Sequence, residues 1–168
     1  MRIIKPPESI MSAQRPIIFL AGSIEMGSAP DWQKEITKAL EPIETGTILN
    51  PRRDDWDSSW RQSIDNPQFR QQVEWELEGL ERADVILMNF SPGTQSPITL
   101  LELGLMANLA EKDIVVNCPE GFWRKGNVDI VCKRYDVWLT ESFKDFINMS
   151  LDLVKDCISE IKQEEEQS

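Results

Sequence analysis

Glu102 stands where a carboxylate is out of place. The stretch SPITLLELGLMANLA, residues 96–110, is apolar almost throughout. At about 100° per residue, Ile98, Leu105, Met106 and Leu109 fall within about 60° of Glu102. The acid is therefore expected in the apolar stripe of a helix that Ser96 caps and Pro97 opens. Two readings are open. The acid could be neutralised by a buried Arg or Lys, or reach an edge, as structural core charges do. Alternatively it is a partly desolvated carboxylate, its pKa raised above the usual ~4.3 by burial. Held ionised in a dry pocket, such a group can attack an electrophilic sugar carbon and form a glycosyl ester. Glu76, in VEWELEGLERADV, is a second acid of this kind. It shares a helical face with Val73 and Leu80, whereas Glu74, Glu78 and Glu81 are placed for solvent. Asp54, Asp55 and Asp57 share a segment with Trp56 and Trp60. Plain loop polarity is the simpler account of the aspartates; the functional one is a lid in which Trp56 or Trp60 stacks on a flat ring and an Asp bonds its edge. The chain contains no histidine, so acid–base work falls to carboxylates, lysines, Tyr135 or thiols.

These residues need elements to hold them. Short apolar runs read as strands at 16–23, 46–51, 84–90, 113–118 and 136–139. Helical spacing covers 28–40, opened by a Ser28-x-x-Asp31 cap pattern, and 67–83, 96–110, 127–135 and about 140–163. The strands are continuously apolar rather than alternating, which indicates a parallel sheet covered on both faces. The expected fold is one doubly wound α/β domain, flavodoxin- or Rossmann-like, with about five parallel strands. Residues 1–14 read as a flexible arm, 15–162 as the domain and 163–168 as an acidic tail. Ligands of such sheets bind beyond the carboxyl ends of the strands, at a switch point. The segments AGSIEMG, NPRRDDWD and SPGTQSPITLLE all follow strand ends and are expected to converge there. AGSIEMG is neither GxGxxG nor GxxxxGK[ST]. Its glycines Gly22 and Gly27 either make the turn, or Gly22 and Ser23 let a ligand approach the backbone.

Composition narrows the partners. A net charge of −11 over 168 residues repels nucleic-acid backbones and anionic membranes. No apolar run approaches the ~20 residues that span a bilayer, and the first residues lack a signal peptide's apolar core. A soluble, cytoplasmic protein is expected. Cys118, Cys132 and Cys157 are widely spaced, with no CxxC pair, and read as reduced structural thiols. Neither a metal nor an organic cofactor is implied.

The order of IIFLAGSI, WELEGLERADVILMNF and SPITLLELGLMA resembles the nucleoside 2-deoxyribosyltransferase superfamily, which includes nucleotide N-glycosidases. The likeness runs from about Pro16 to Leu139. It implies that Glu102, in the ELG motif, is the nucleophile that attacks the anomeric carbon. It also implies that Glu76 lines the pocket, where relatives often have Asp, that Ser96 binds the sugar or phosphate end, and that Asn127 reaches into a neighbouring subunit's site. A homodimer or higher homo-oligomer follows from the same likeness, as does a nucleoside or nucleotide ligand. Two positions depart from the pattern. Phe19, expected among the substrate-binding residues, stands where relatives active on deoxyribosides carry a Tyr that supports the nucleophile, and Glu25 where the monophosphate hydrolases carry an Arg. Arg52, Arg53 or Arg124 could compensate for the second. The expected activity is cleavage of an N-glycosidic bond, or base exchange. The competing expectation is a non-catalytic nucleoside- or nucleotide-binding sensor, or an interaction module, on the same fold.

Overall fold

The computed structural model of the chain describes residues 1–24, 29–109 and 111–167. Glu25, the turn glycine Gly27, the expected cap Ser28 and Ala110 lie outside the described residues.

Strand β2, Ile17–Gly22, shows why the sheet is double-sided. Its side chains alternate between faces, yet nearly all are apolar. Ile18 and Leu20 join one buried cluster, with Trp32, Ile36, Phe146 and Val154. Phe19 and Ala21 join the other, with Trp75, Leu103, Met106 and Val128. The first face is covered by helices α1 (Trp32–Leu40) and α5 (Phe143–Glu166). The second is covered by α2 (Pro67–Arg82), α3 (Pro97–Met106) and α4 (Lys125–Arg134). The remaining strands are β1 (Arg2–Ile4), β3 (Thr47–Leu49), β4 (Val85–Asn89), β5 (Asp113–Asn117) and β6 (Trp138–Thr140). All five strand pairings are parallel, in the order β1-β3-β2-β4-β5-β6. The expected doubly wound α/β domain is the observed one. With β1 set aside, the order is flavodoxin-like, and its switch point lies between β2 and β4.

Three expectations change. The sheet has a sixth strand, because the first residues are not a loose arm. Arg2, Ile3 and Ile4 pair with Thr47, Ile48 and Leu49, and Ile4 and Ile10 are fully buried. The apolar pair Ile3-Ile4 finds an open parallel edge at β3, a signal too short to read beside Pro6 and Pro7. At the other end α5 runs on to Glu166, through most of the expected tail, and Glu164 pairs with Arg15 at 3.2 Å. Helix α1 starts at Trp32, and its cap is Asp31, which accepts from the Lys34 amide at 3.2 Å. The aspartate of the ADV segment is structural. Asp84 accepts from the Ile17 amide at 2.7 Å and from Arg15 at 2.8 Å, tying β2 to β4 at their start.

Candidate active site

The carboxyl end of β2 is built tightly. A Cβ on Gly22 would lie 2.5 Å from the Asn89 carbonyl oxygen and 2.7 Å from the Trp32 ring. The absent side chain is thus required by packing against β4 and α1, which accounts for the glycine without a ligand. Trp32 Nε1 donates to the Ser23 carbonyl at 3.2 Å and fixes the residue that follows. Ser23 is buried. Its Oγ accepts from the Ser91 amide at 3.0 Å and lies 2.9 Å from Thr94 Oγ1 and 2.5 Å from Ser96 Oγ. Thr94 Oγ1 donates to the Ser91 carbonyl at 2.8 Å, so its own proton is committed. The turn after β2 and the loop before α3 therefore meet in one cluster of three hydroxyls.

Ser96 was expected to cap α3. It sits in the left-handed region, φ 44° and ψ 51°, and makes no side-chain capping bond. Its hydroxyl faces Ser23 and Thr94 instead. The cluster continues sideways through residues that sequence reasoning missed. Thr140 Oγ1 donates to Asn117 Oδ1 at 3.1 Å, Asn117 Nδ2 to Asn89 Oδ1 at 2.7 Å, and Asn89 Nδ2 to Ser91 Oγ at 3.3 Å. All are buried. The strand register explains the row: Gly22 pairs with Asn89, Asn89 with Asn117, and Asn117 with Thr140. The available signal was that three apolar strands each end on one polar residue, in LMN, VVN and WLT.

Glu102 is 7% exposed, so the acid is inside, but its surroundings differ from the expected stripe. The buried residues of α3 are Thr99, Glu102, Leu103 and Met106, whereas Ile98, Leu101 and Leu105 are exposed. Glu102 thus stands at the border between the inward side and an outward apolar side. Among the described residues no Lys or Arg lies within ion-pairing distance of it, which removes the rescued core charge. Burial pushes its carboxyl up to about 8, and the neighbouring charge of Glu76 adds to the shift. Glu76 lies one helix over, partly exposed. Burial pushes it up to about 7, against a hydrogen bond from Gln72 that favours the charged form. Gln72 Nε2 donates to Glu76 Oε1 and to the Pro51 carbonyl, both at 2.9 Å. The structure thus brings the two predicted acids within electrostatic reach of each other.

The 50–66 loop is organised around Arg53, whose side chain is 6% exposed. The guanidinium lies 5.0 Å from the centroid of Trp60, bonds Asp55 at 2.5 and 3.2 Å, and reaches Gln71 at 3.3 Å. Trp56 packs edge-on against Trp60 at 5.2 Å, and its buried Nε1 finds no acceptor among the described residues. Asp54 pairs with Lys5 at 2.6 Å, and Asp54 and Asp55 are exposed. Arg53 holds the Asp55 carboxyl below its ordinary range. These contacts turn both aspartates to cations and water, and none joins them to Glu102 or Glu76. Arg52 turns the other way, donating to Gln33 Oε1 at 3.3 Å and the Ala29 carbonyl at 3.5 Å. Of the three strand-end segments, the first and third therefore meet, through Ser23, Thr94 and Ser96, while Arg52 carries the second to Ala29 and Gln33, just beyond the first.

Two expected ligand contacts lie elsewhere. Phe19 is fully buried in the core, 6.2 Å from the Trp75 ring and so close to α2 that a Cβ on Gly79 would stand 2.7 Å from it. A side chain enclosed in this way cannot touch a ligand. Asn127 is exposed and lines a groove of about 310 Å³ with Leu100, Leu103, Gly104, Arg124 and Val128. Leu100 and Gly104 lie on the far side of α3 from Glu102, so Asn127 and Glu102 of one chain look in different directions. The cysteines are free and buried, as expected. Among the described residues no helix is long and apolar enough to cross a membrane, and no group of three or more acids or cysteines is gathered for a metal ion.

In solved structures the chain is similar to a conserved protein from Enterococcus faecalis V583, with a TM-score of 0.53 and 11% identity, over 79% of this chain and 94% of that one. At that identity the likeness speaks for the fold alone. No curated protein matches the sequence. Residues 15–122 match the family described as nucleoside 2-deoxyribosyltransferase like. That span carries β2 through β5, the hydroxyl cluster, Glu76 and Glu102, and the chain belongs to the nucleoside 2-deoxyribosyltransferase-like family.

Proposed function

We propose that the protein cleaves the N-glycosidic bond of a nucleoside or nucleotide, passing the sugar to water or to another base, with Glu102 as nucleophile. The observation that carries this is a buried carboxylate with no cation within ion-pairing distance among the described residues, in electrostatic reach of a second, half-buried acid. Two such acids hold one proton between them more readily than two charges. One ionised and one protonated carboxyl is the pair that the chemistry needs; burial raises Glu102 further than Glu76, so the reacting form is the one in which the shared proton has passed from Glu102 to Glu76. The Glu102 oxygen forms a bond to the anomeric carbon as the bond from that carbon to the base nitrogen breaks. The electron pair leaves with the base, and Glu76 delivers the proton. Water or an incoming base then attacks the anomeric carbon, gives its proton to the now ionised Glu76 and displaces the Glu102 carboxylate, giving net retention. Ser96 and Ser23, tied together at 2.5 Å, are the groups proposed to hold the sugar end.

The proposed assembly is a homodimer or higher homo-oligomer. The exposed apolar side of α3 and the outward position of Asn127 support it, because Asn127 could serve a neighbour's site but not its own.

The test is a panel of ribo- and deoxyribonucleosides and their 5′-monophosphates, with free base as the readout. Release is expected from wild type and is expected to fall at least 10³-fold in Glu102→Gln, an order of magnitude typical of a lost nucleophile. Base release unchanged in that variant sinks the proposal. Phe19 favours a second reading: it has no hydroxyl and is enclosed by core, so the usual support for the nucleophile is missing. A nucleoside-binding module predicts bound ligand, seen by calorimetry, with no base released.

A further inference from the structure

Gln72 is 5% exposed, and its amide is committed on one side only. Nε2 has two hydrogens, and both are spent, on the Pro51 carbonyl and on Glu76 Oε1. Both partners are acceptors, so the amide cannot be turned over without setting oxygen against oxygen. That leaves Oε1 as a fixed acceptor, buried and with no hydrogen-bond partner among the described residues. A buried acceptor without a donor is costly, and this one belongs to the side chain that orients the second acid. Glu76 Oε1 is occupied by Gln72, so any proton that Glu76 carries outward sits on Oε2. The linked pair thus holds a proton donor on Glu76 and, on Gln72, an enclosed acceptor without a partner among the described residues.

We propose that Gln72 and Glu76 read the edge of the heterocycle together, and that the site takes an amino-substituted base in preference to an oxo-substituted one. The inference rests on the nucleoside reading above for the ligand's chemical class. The complementary edge has a basic ring nitrogen next to an N–H. A 6-aminopurine offers both: its imidazole nitrogen takes the Glu76 proton as the glycosidic bond breaks, and its amino group donates to Gln72 Oε1. A 6-oxopurine sets a carbonyl oxygen beside the same ring nitrogen, facing one acceptor with another. Its lactam edge does carry an N–H, but next to a carbonyl oxygen, which is a far weaker base than a ring nitrogen. Gln72 is thus a specificity-determining residue as well as the positioning residue for Glu76.

The experiment is calorimetric binding of adenine, unsubstituted purine and hypoxanthine to the full chain, beside base release from adenosine and inosine. Adenine is expected to bind about ten-fold or more tightly than the other two, the size of effect that one unpaired buried acceptor produces. In Gln72→Met, which keeps the length and removes the acceptor, the three affinities are expected to fall within about two-fold of one another. A role confined to folding would lower all three together and leave their ratio intact. Hypoxanthine binding as tightly as adenine, a preference that survives in Gln72→Met, or no binding of any base each overturns the proposal. The wild-type ligand series needs no variant and decides the matter even where Gln72→Met does not fold. The two readings separate cleanly. Base release without adenine preference removes the edge reading and keeps the cleavage. Adenine preference without base release does the reverse.

Discussion

Glu102 is kept inside without, among the described residues, the cation that usually accompanies a buried charge, and that makes a prediction about stability as well as chemistry. Its folded pKa of about 8 lies above the ordinary value of 4.5. Between those pH values the folded chain holds a proton that the unfolded chain has lost. The group therefore costs nothing below about pH 4.5 and weakens the fold increasingly as pH rises toward 8. Glu102→Gln cannot titrate. Urea unfolding at pH 5 and pH 8 is expected to show a larger loss of stability for wild type than for the variant, with the variant the more stable at pH 8. Equal losses would mean that Glu102 finds a cation in solution. At this scale the sequence was informative about which acids go inside and uninformative about their neighbours. A helical wheel places Ile98 and Leu105 beside Glu102, and they are indeed beside it, but on the exposed side. Apolar character alone does not say which half of a helix meets the sheet when both halves are apolar. Ser96 misled for a related reason. Ser-Pro is a common helix opening, and only the backbone angle shows that its hydroxyl is turned to Ser23.

Between elements, the sheet was legible because each central strand is an unbroken apolar run, and β1 was not, because its two isoleucines, of which only Ile4 is buried, carry no period. The polar row at the strand ends could be read only once register was known, since Asn89, Asn117 and Thr140 are far apart in the chain and adjacent in the sheet. The row ends at Thr140, on the outermost strand, and a prediction belongs there. Thr140→Val keeps the shape and removes the donor, which strands Asn117 Oδ1 in a buried position. The expected cost is about 1–3 kcal/mol by chemical denaturation, with Thr140→Ser recovering most of it. The bonds are sequential, from Asn117 to Asn89 to Ser91 and Ser23. Thr140→Val should therefore also disturb the hydroxyl cluster at the far end of the row, beyond β2, where Thr140→Ser should not. A cost within experimental error for Thr140→Val would show that the row is not a connected unit.

For the whole molecule, two features oppose each other. A net charge of −11 per chain drives copies apart. Helix α3 pulls the other way. Leu101 is 59% exposed and Ile98 58%, with Leu105 close behind, and these three follow one another at helical spacing on the outward side. A helix that is apolar all round is ordinarily enclosed on every side, and within one chain α3 is enclosed on only one. The site adds a reason for a second copy to cover it, because Glu102 lies at the border of that exposed side while Asn127 faces away from its own Glu102. Self-association through α3 is thus the expected state, and its balance should be readable. Added salt screens the charge and leaves the apolar contact, so association should strengthen with ionic strength, whereas an interface of ion pairs would weaken. Leu101→Asp places a charge in the middle of the contact at a position the monomer leaves open, so the fold should survive it. Sedimentation velocity is expected to give a dimer or larger species for wild type and a monomer for Leu101→Asp, with unchanged circular dichroism. Base release should fall with association if Asn127 serves the neighbouring site. A wild-type chain that sediments as a monomer at every concentration and salt would instead leave α3 to a partner of another kind, and Asn127 outside the chemistry.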